Sequence, residues 1–433
     1  MNRKQFLNEA TNQLKKQSWI SDSEFEELDA ILTHWCQSQE ERIPFFSNAI
    51  RNECLSILNG NYSSVLDDRL SRERNSRCFE HRLRFSFDDL PYPPPKKWDF
   101  TFIDLFAGIG GFRIAFQEVG GKCVFSCEWD KYAKQTYNAN FGEYPYGDIC
   151  KINKREIPDH DILCAGFPCQ PFSLAGVSKK QSLGRKHGFE DETQGTLFFE
   201  IKEILRIKRP KAFMLENVKN LLSHNKRKTF QVIRHTLEDQ LDYVIDWTIV
   251  DGGKWLPQHR ERIFIVGYDP KQVSISKDDI VIPENPVDGY EYPELNQIIK
   301  SKVDEKFTLG PGTWDTLERH KADHAAKGNG FGYGLHKTPI KKGEVTRTIS
   351  ARYHKDGAEI LIEQKDKRPR RLTVEEAMQL QGYDPEKFIF PVSDTQAYRQ
   401  IGNSVVVPAI TACAKEIAKK LSRHFKDAAR CEQ

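Results

Sequence analysis

The stretch that most restricts this chain is Asp161-Ile-Leu-Cys-Ala-Gly-Phe-Pro168-Cys169-Gln-Pro-Phe-Ser. Its apolar run, Ile162 to Phe167, lacks the polar/apolar alternation of a half-exposed strand and predicts a parallel strand covered on both faces. Pro168 cannot donate a ladder hydrogen bond, so the strand ends there in a loop. Similar runs recur at 101–105, 122–127, 211–215 and 263–266. The pattern predicts an α/β fold with a doubly wound sheet. Such sheets bind ligands beyond the carboxyl ends of their strands, and Cys169 falls at such an end. A free cysteine is more often an inert buried thiol. What the other strand ends carry decides between the two.

Thr101-Phe-Ile-Asp-Leu-Phe106-Ala-Gly108-Ile-Gly110-Gly111 runs from a strand into a glycine-rich turn, followed by apolar positions at helical spacing (Phe112, Ala115, Phe116, Val119). Glycines at that place let a backbone approach a ligand at a helix N-terminus. The next strand, ending at Cys127, delivers Glu128 and Trp129. An acid about 20 residues after the glycines is placed for a ribose hydroxyl pair, and Trp129 offers a flat face for a base. Asp148 follows in Tyr144-Pro-Tyr-Gly-Asp148. Later strands contribute Glu216 at a carboxyl end and the run Gln258-His-Arg260-Glu-Arg262, in which Gln258, Arg260 and Arg262 share one face by alternation.

The rest of the chain reads as accessory parts. Residues 1–97 form a polar, helix-leaning extension, with a capping-box pattern at Ser21–Glu24 and apolar positions Phe25, Leu28, Ile31, Leu32 and Trp35 at helical spacing. It reads as a cap packed on the main domain rather than a DNA-contacting module, and ends in the stiff linker Leu90-Pro-Tyr-Pro-Pro-Pro. The main domain is expected over 98–268, a second domain over 269–390, and a returning segment over 391–433. Between Gly176 and Gly188 lie Lys179, Lys180, Arg185 and Lys186 without apolar periodicity, as in a lid that closes on a polyanion. From Arg319 to Arg371 there are 14 Lys/Arg against 6 Asp/Glu, interleaved with the string Gly328-Asn-Gly330-Phe-Gly-Tyr-Gly334. That composition suits phosphate contacts with close approach to base edges, with Gly330, Arg347 and Arg352 as candidates. Any nucleic-acid surface must be local, because 65 basic and 62 acidic residues leave a net charge of only +3. No apolar run approaches the roughly 18 residues of a membrane span. The N-terminus has no apolar signal core, and ten irregularly scattered cysteines suit a reducing cytoplasm. Their spacings give no metal site to defend.

Taken together, the chain resembles the DNA (cytosine-5)-methyltransferase family over about residues 99–420. The resemblance lies in Phe102–Gly111, Gly166-Phe-Pro-Cys-Gln170, Glu216-Asn-Val218, Gln258–Arg262, Arg371–Glu375 with Gln381-Gly-Tyr383, and Gly402-Asn403-Ser404, in the family's order. Within the family it is similar to the Dcm-like branch, through 327–334 and 345–359. One departure is Gln194, where many relatives carry Arg. The resemblance implies the doubly wound mixed sheet of class I S-adenosylmethionine-dependent methyltransferases, with a smaller target-recognition domain and a helical N-terminal extension. It also implies S-adenosylmethionine as methyl donor and double-stranded DNA as substrate. A monomer acting on the nucleoid is expected, alone or with a restriction endonuclease that it does not touch.

Residue by residue, the resemblance makes Cys169 the nucleophile towards C6 of cytosine and Glu216 the group at N3 and the exocyclic amine. Arg262, with Arg260 as the alternative, holds the O2 side. Phe106, Gly108, Gly110 and Gly111 would hold the methionine part of the donor, Glu128 the ribose, Trp129 the adenine face and Asp148 the adenine amine, with Asn403 and Ser404 closing the site. The recognition segment suggests a palindrome such as CCWGG. An RNA substrate and a DNA-binding regulator with a retired site are the rival readings, opposed by the basic insert and by the intact Cys169, Glu216 and Arg262 set.

Overall fold

The computed structural model describes residues 3–38, 43–61, 85–168, 197–328 and 332–431. The five apolar runs form β1 (Phe100–Leu105), β2 (Gly121–Cys127), β3 (Ile162–Gly166), β4 (Ala212–Val218) and β6 (Glu261–Tyr268). A further strand, β5 (Val244–Asp251), has no continuous apolar run. It lies at the sheet edge, and Asp246, Trp247 and Thr248 are only partly buried. The order is β2-β1-β3-β4-β6-β5. β2, β1, β3 and β4 are parallel, and β6 runs antiparallel to both β4 and β5. The amino end of β6 therefore meets the edge where β1 to β4 have their carboxyl ends. Register places Arg262 opposite Val218.

Each face of the sheet is covered by helices. On one face, helix Gly111–Glu118 and the long helix Val407–Cys431 share a core in which Phe112, Phe116, Ile410 and Ile417 are buried. Val273 and Ile280 join the same core, so the chain stays on the sheet beyond residue 269. On the other face, helices Arg3–Leu14 and Leu28–Ser38 of the N-terminal extension bury Phe6, Leu32 and Trp35 in one cluster with Val124, Phe125 and Tyr146. Each such apolar side chain stabilises the fold by roughly 1.5–3 kcal/mol. The Ser21–Glu24 capping box forms, but its helix stops at Glu26. Phe25 is consequently exposed, and the apolar spacing is taken up by the separate helix that starts at Leu28.

A second, smaller unit contains the short sheet β7 (Leu335–His336), β8 (Leu361–Gln364) and β9 (Lys367–Arg370) with helix Pro311–Ala326. Its core holds Ile349, Tyr353, Ile360, Leu372 and Tyr383. Helix Asp394–Asn403 contributes Tyr398 and Ile401 to this core, and the chain rejoins the main sheet at Val405. Among the described residues no helix is long and apolar enough to cross a membrane, and no group of three or more His, Cys, Asp or Glu could hold a metal ion.

Candidate active site

The turn after β1 is built from left-handed backbone at Phe106 (φ 55°), Gly108 (φ 55°) and Gly110 (φ 85°). At Gly110 a side chain would collide with the Phe141 ring, whereas the space beside Gly108 is open. Glu128, at the end of β2, latches this turn. One carboxylate oxygen accepts from Gly108 N at 2.7 Å and the other from Asp130 N at 2.7 Å. Burial pushes the Glu128 pKa up against the pull of those two N–H groups. Trp129 beside it is 75% exposed, leaving its ring face free among the described residues. Asp148 caps the turn Ile149–Lys151 by accepting from Cys150 N at 3.0 Å. Phe106, Gly108, Glu128, Trp129 and Asp148 thus lie along neighbouring strand ends.

One acid in this region carries no role in the sequence reading. Asp104 is fully buried inside β1, and neither carboxylate oxygen has a hydrogen-bond partner of good geometry among the described residues, although the Arg113 backbone N–H is near enough to favour its charged form. Burial drives its pKa well above the carboxylate range, opposed first by Arg113. The visible signal is an acid within an otherwise apolar strand. A poorly partnered buried carboxyl, open space over Gly108 and an oriented Glu128 carboxylate fit a ligand that brings hydrogen-bond donors, such as a ribose and an amino group.

The C-terminal segment closes against the glycine turn. A Cβ at Gly111 would sit 2.6 Å from Val405 Cγ2 and 2.9 Å from the Tyr383 hydroxyl. Ser404 Oγ lies 2.6 Å from that same hydroxyl, and Asn403 is exposed at the end of its helix.

Next to this region, β4 ends in a buried ion pair. Glu216 is 8% exposed, and Arg262 Nε lies 3.1 Å from its Oε1. Glu216 is opposite Phe264 and Val218 opposite Arg262, so the arginine reaches diagonally across the β4–β6 pair on one sheet face. Glu216 also pairs in register with Gly166 of β3, and a Cβ at Gly166 would be 3.6 Å from its Oε2. Burial raises the Glu216 pKa, opposed by Arg262 and then Arg260. Asn217, to which sequence reasoning gave no part, donates from Nδ2 to Phe167 O at 2.9 Å and holds the peptide that leads into Pro168.

Alternation along 258–262 holds, with Gln258 and Arg260 buried, Arg262 half-buried and His259 and Glu261 exposed. The face is shared but the work is not. Arg260 donates to Ile349 O and Gly402 O, each at 3.1 Å, and to Ser404 O. Its guanidinium therefore ties the smaller unit and the returning segment to β6, instead of standing free for a substrate ring. Burial lowers its pKa to about 9. Gln258 adds a bond from Nε2 to Leu380 O and another to Oε1 from Ile349 N.

Cys169, Lys179, Lys180, Arg185 and Gly330 lie outside the described residues. Arg347 and Arg352, with Ser350, Lys355 and Glu359, line a cavity of about 450 Å³ in the smaller unit. Arg347 donates to Gly332 O, and Ser350 Oγ to Glu359.

Against known proteins, residues 100–419 match the family described as C-5 cytosine-specific DNA methylase. The chain is 49% identical over 346 residues to the type II methyltransferase M1.ScrFI of Lactococcus lactis subsp. cremoris, covering 79% of this chain and 84% of that one. It is 46% identical over 386 residues to a DNA-cytosine methyltransferase of Escherichia coli K12, covering 77% and 81%. The S. pombe Dnmt2 methyltransferase superposes with a TM-score of 0.57 at 17% identity, covering 75% of this chain and 99% of that structure. This likeness carries the fold, that of the class I S-adenosylmethionine-dependent methyltransferases.

Proposed function

The chain belongs to the C-5 cytosine-specific DNA methylase family, and from that membership we propose that it methylates C5 of a cytosine flipped out of a short duplex site, through a covalent bond between Cys169 and C6. The coarser activity, a cytosine-5 DNA methyltransferase of the restriction–modification type, is that of the family and its type II relatives. The single observation behind the finer reading is the buried Glu216–Arg262 pair, 3.1 Å apart, at the strand edge into which Phe167-Pro168 leads.

Cytosine C5 is a weak nucleophile until the ring becomes an enamine, and thiolate addition at C6 accomplishes this. Addition puts electron density on N3. A protonated Glu216, whose pKa burial raises, donates its proton there and accepts from the exocyclic amine through its other oxygen. Those two contacts reject thymine. Arg262 both orients Glu216 and faces O2, stabilising the charge that develops. Arg260 acts one layer back, fixing Gly402 and Ser404. S-adenosylmethionine, where bound, supplies an electrophilic methyl group. Phe106, Gly108, Gly110 and Gly111 would hold its methionine part, Glu128 its ribose, Trp129 and Asp148 its base, with Asn403 and Ser404 closing the site. C5 takes that methyl group, and loss of the C5 proton to a water, with the N3 proton returned to Glu216, then expels the Cys169 thiolate. A stacked base is out of reach of such a site, so the cytosine must leave the duplex, with the basic segment around Lys179, Lys180 and Arg185 closing behind it.

Arg347, Arg352 and Gly330 are assigned to the duplex, and the target to a CC-containing palindrome such as CCWGG with the inner cytosine modified. Bisulfite sequencing of plasmid DNA from cells expressing the wild type and Cys169→Ala tests both statements. Protection of one cytosine in a recurring short site, lost in the variant, supports them. Absence of protected cytosines with a folded wild-type protein overturns them.

A further inference from the structure

The family match begins at residue 100, yet the N-terminal extension grips the segment that carries Asp148. Glu27, between two helices of the extension, accepts the Gly147 N–H with both carboxylate oxygens, at 3.0 and 3.1 Å. Its side chain is 13% exposed, and Lys134 Nζ lies 3.8 Å away. The fit is close, because a Cβ at Gly147 would be 2.7 Å from Glu27 Oε1 and would push that carboxylate aside. Three more residues of the extension act on the same segment. Thr33 Oγ1 accepts from Tyr144 N at 3.0 Å, Pro44 O accepts from the Tyr146 hydroxyl at 3.0 Å, and Glu26 pairs with Lys151 at 3.3 Å.

On its other side this segment is stitched to the edge of β2. Tyr146 N donates to Ser126 O at 2.9 Å, and Glu128 N to Tyr146 O at 2.8 Å. Glu128 and Asp148 are therefore held apart at a set distance by one short piece of chain. The extension clamps that piece from outside.

We propose that Glu27 is a positioning residue for the cofactor site: by fixing the Tyr146–Gly147 peptide, immediately before Asp148, it presents Asp148 to the base of the nucleoside cofactor. The inference rests on the assignment of Asp148 to that base. A carboxylate accepting a backbone N–H in a place sheltered from water is a strong, oriented bond. Without it, the loop keeps its fold through Tyr146 but loses the orientation of its last two residues.

The test is isothermal titration of the full-length protein with S-adenosylmethionine and with S-adenosylhomocysteine, comparing wild type, Glu27→Ala, Glu27→Gln and Asp148→Ala. Methylation kinetics and melting temperature are measured in parallel. Loss of one charge-assisted bond predicts cofactor Kd and KM raised roughly five- to twentyfold in Glu27→Ala. The turnover at saturating cofactor and the DNA affinity should stay close to wild type, and the melting temperature should fall by only a few degrees. Glu27→Gln keeps an acceptor oxygen and should restore most of the affinity. Weakened binding in both Glu27→Ala and Asp148→Ala supports the proposal. Weakened binding in Asp148→Ala alone overturns it and leaves the cofactor assignment standing. Unchanged binding in Asp148→Ala overturns the assignment on which it rests. A fall in turnover and DNA affinity together with the melting temperature would make Glu27 a merely structural residue, and would also overturn the proposal.

Discussion

Arg262 meets Glu216 through Nε, leaving the outer end of its guanidinium directed past the carboxylate; its Nη1 donates only to Glu261 O among the described residues. The pair is a positioned acid with a cation behind it. Arg262→Ala should lower turnover by about 10²–10³, the usual cost of removing one oriented charge-stabilising donor. Cofactor affinity should be unaffected. Single-turnover kinetics with saturating DNA and S-adenosylmethionine measure both.

Glu216 also predicts a pH effect on stability. Its pKa is raised in the folded state, so the native protein binds a proton that the unfolded chain releases at lower pH. That contribution is fully present below the unfolded carboxylate pKa and is lost as pH rises through the raised folded value. Glu216→Gln has no such proton. Its melting temperature relative to wild type should climb as pH rises above the ordinary carboxylate range while its methylation activity is lost, as followed by calorimetry and tritium transfer.

Asp104 should behave in the same direction, since burial raises its pKa well above the carboxylate range and outweighs the opposing pull of Arg113. Asp104→Asn should flatten the decline of the melting temperature as pH rises above the ordinary carboxylate range. A variant whose pH profile overlays the wild type would show that Asp104 is ionised and paired.

Arg260 gives a stability prediction instead of a catalytic one. Three backbone carbonyls from two separate segments converge on it. Arg260→Ala should destabilise the protein by about 2–4 kcal/mol, as bonds to a buried charge are lost and carbonyls left bare. Arg260→Lys should recover only part, because an ammonium lacks the planar fork. Urea denaturation of the two variants measures the difference.

The cavity in the smaller unit predicts how recognition divides. Arg352 is exposed on its rim, beside Lys355 and Glu359. If it reads a base edge, Arg352→Ala should cost about 1–3 kcal/mol of binding and relax preference at one position. A phosphate contact would weaken all sites alike and reduce the salt slope by about one. Binding to a panel of singly substituted duplexes at two salt concentrations separates the outcomes.

The strand ends were the legible part of this chain because local chemistry marks them. Glycines at Gly108 and Gly110 announce left-handed backbone, and an unbroken apolar run such as Ile162–Phe167 announces a strand covered on both faces. β5 is not announced, since Asp246 and Thr248 sit in an edge strand that is only partly buried. Arg260 and Arg262 were indistinguishable for a different reason. Alternation puts both on one face, and only the β4–β6 register shows which of them arrives beside Glu216. Glu27 is beyond any local pattern, because its partner at Gly147 lies far along the chain and is met only through the packing of helix Leu28–Ser38 on β2. Cys169 was singled out only by what the other strand ends carry, and it lies outside the described residues.

The return of the chain to its own beginning has a consequence for synthesis. Val405 lies against the Gly111 turn, and helix Val407–Cys431 packs on helix Gly111–Glu118. A ribosome has therefore released the strands, the smaller unit and nearly all of the polypeptide before the Gly111 turn is covered. Contacts between the two ends of a chain form late and slow folding. A nascent chain paused before residue 405 holds the strands and the smaller unit while the Gly111 turn still lacks its contact with Val405.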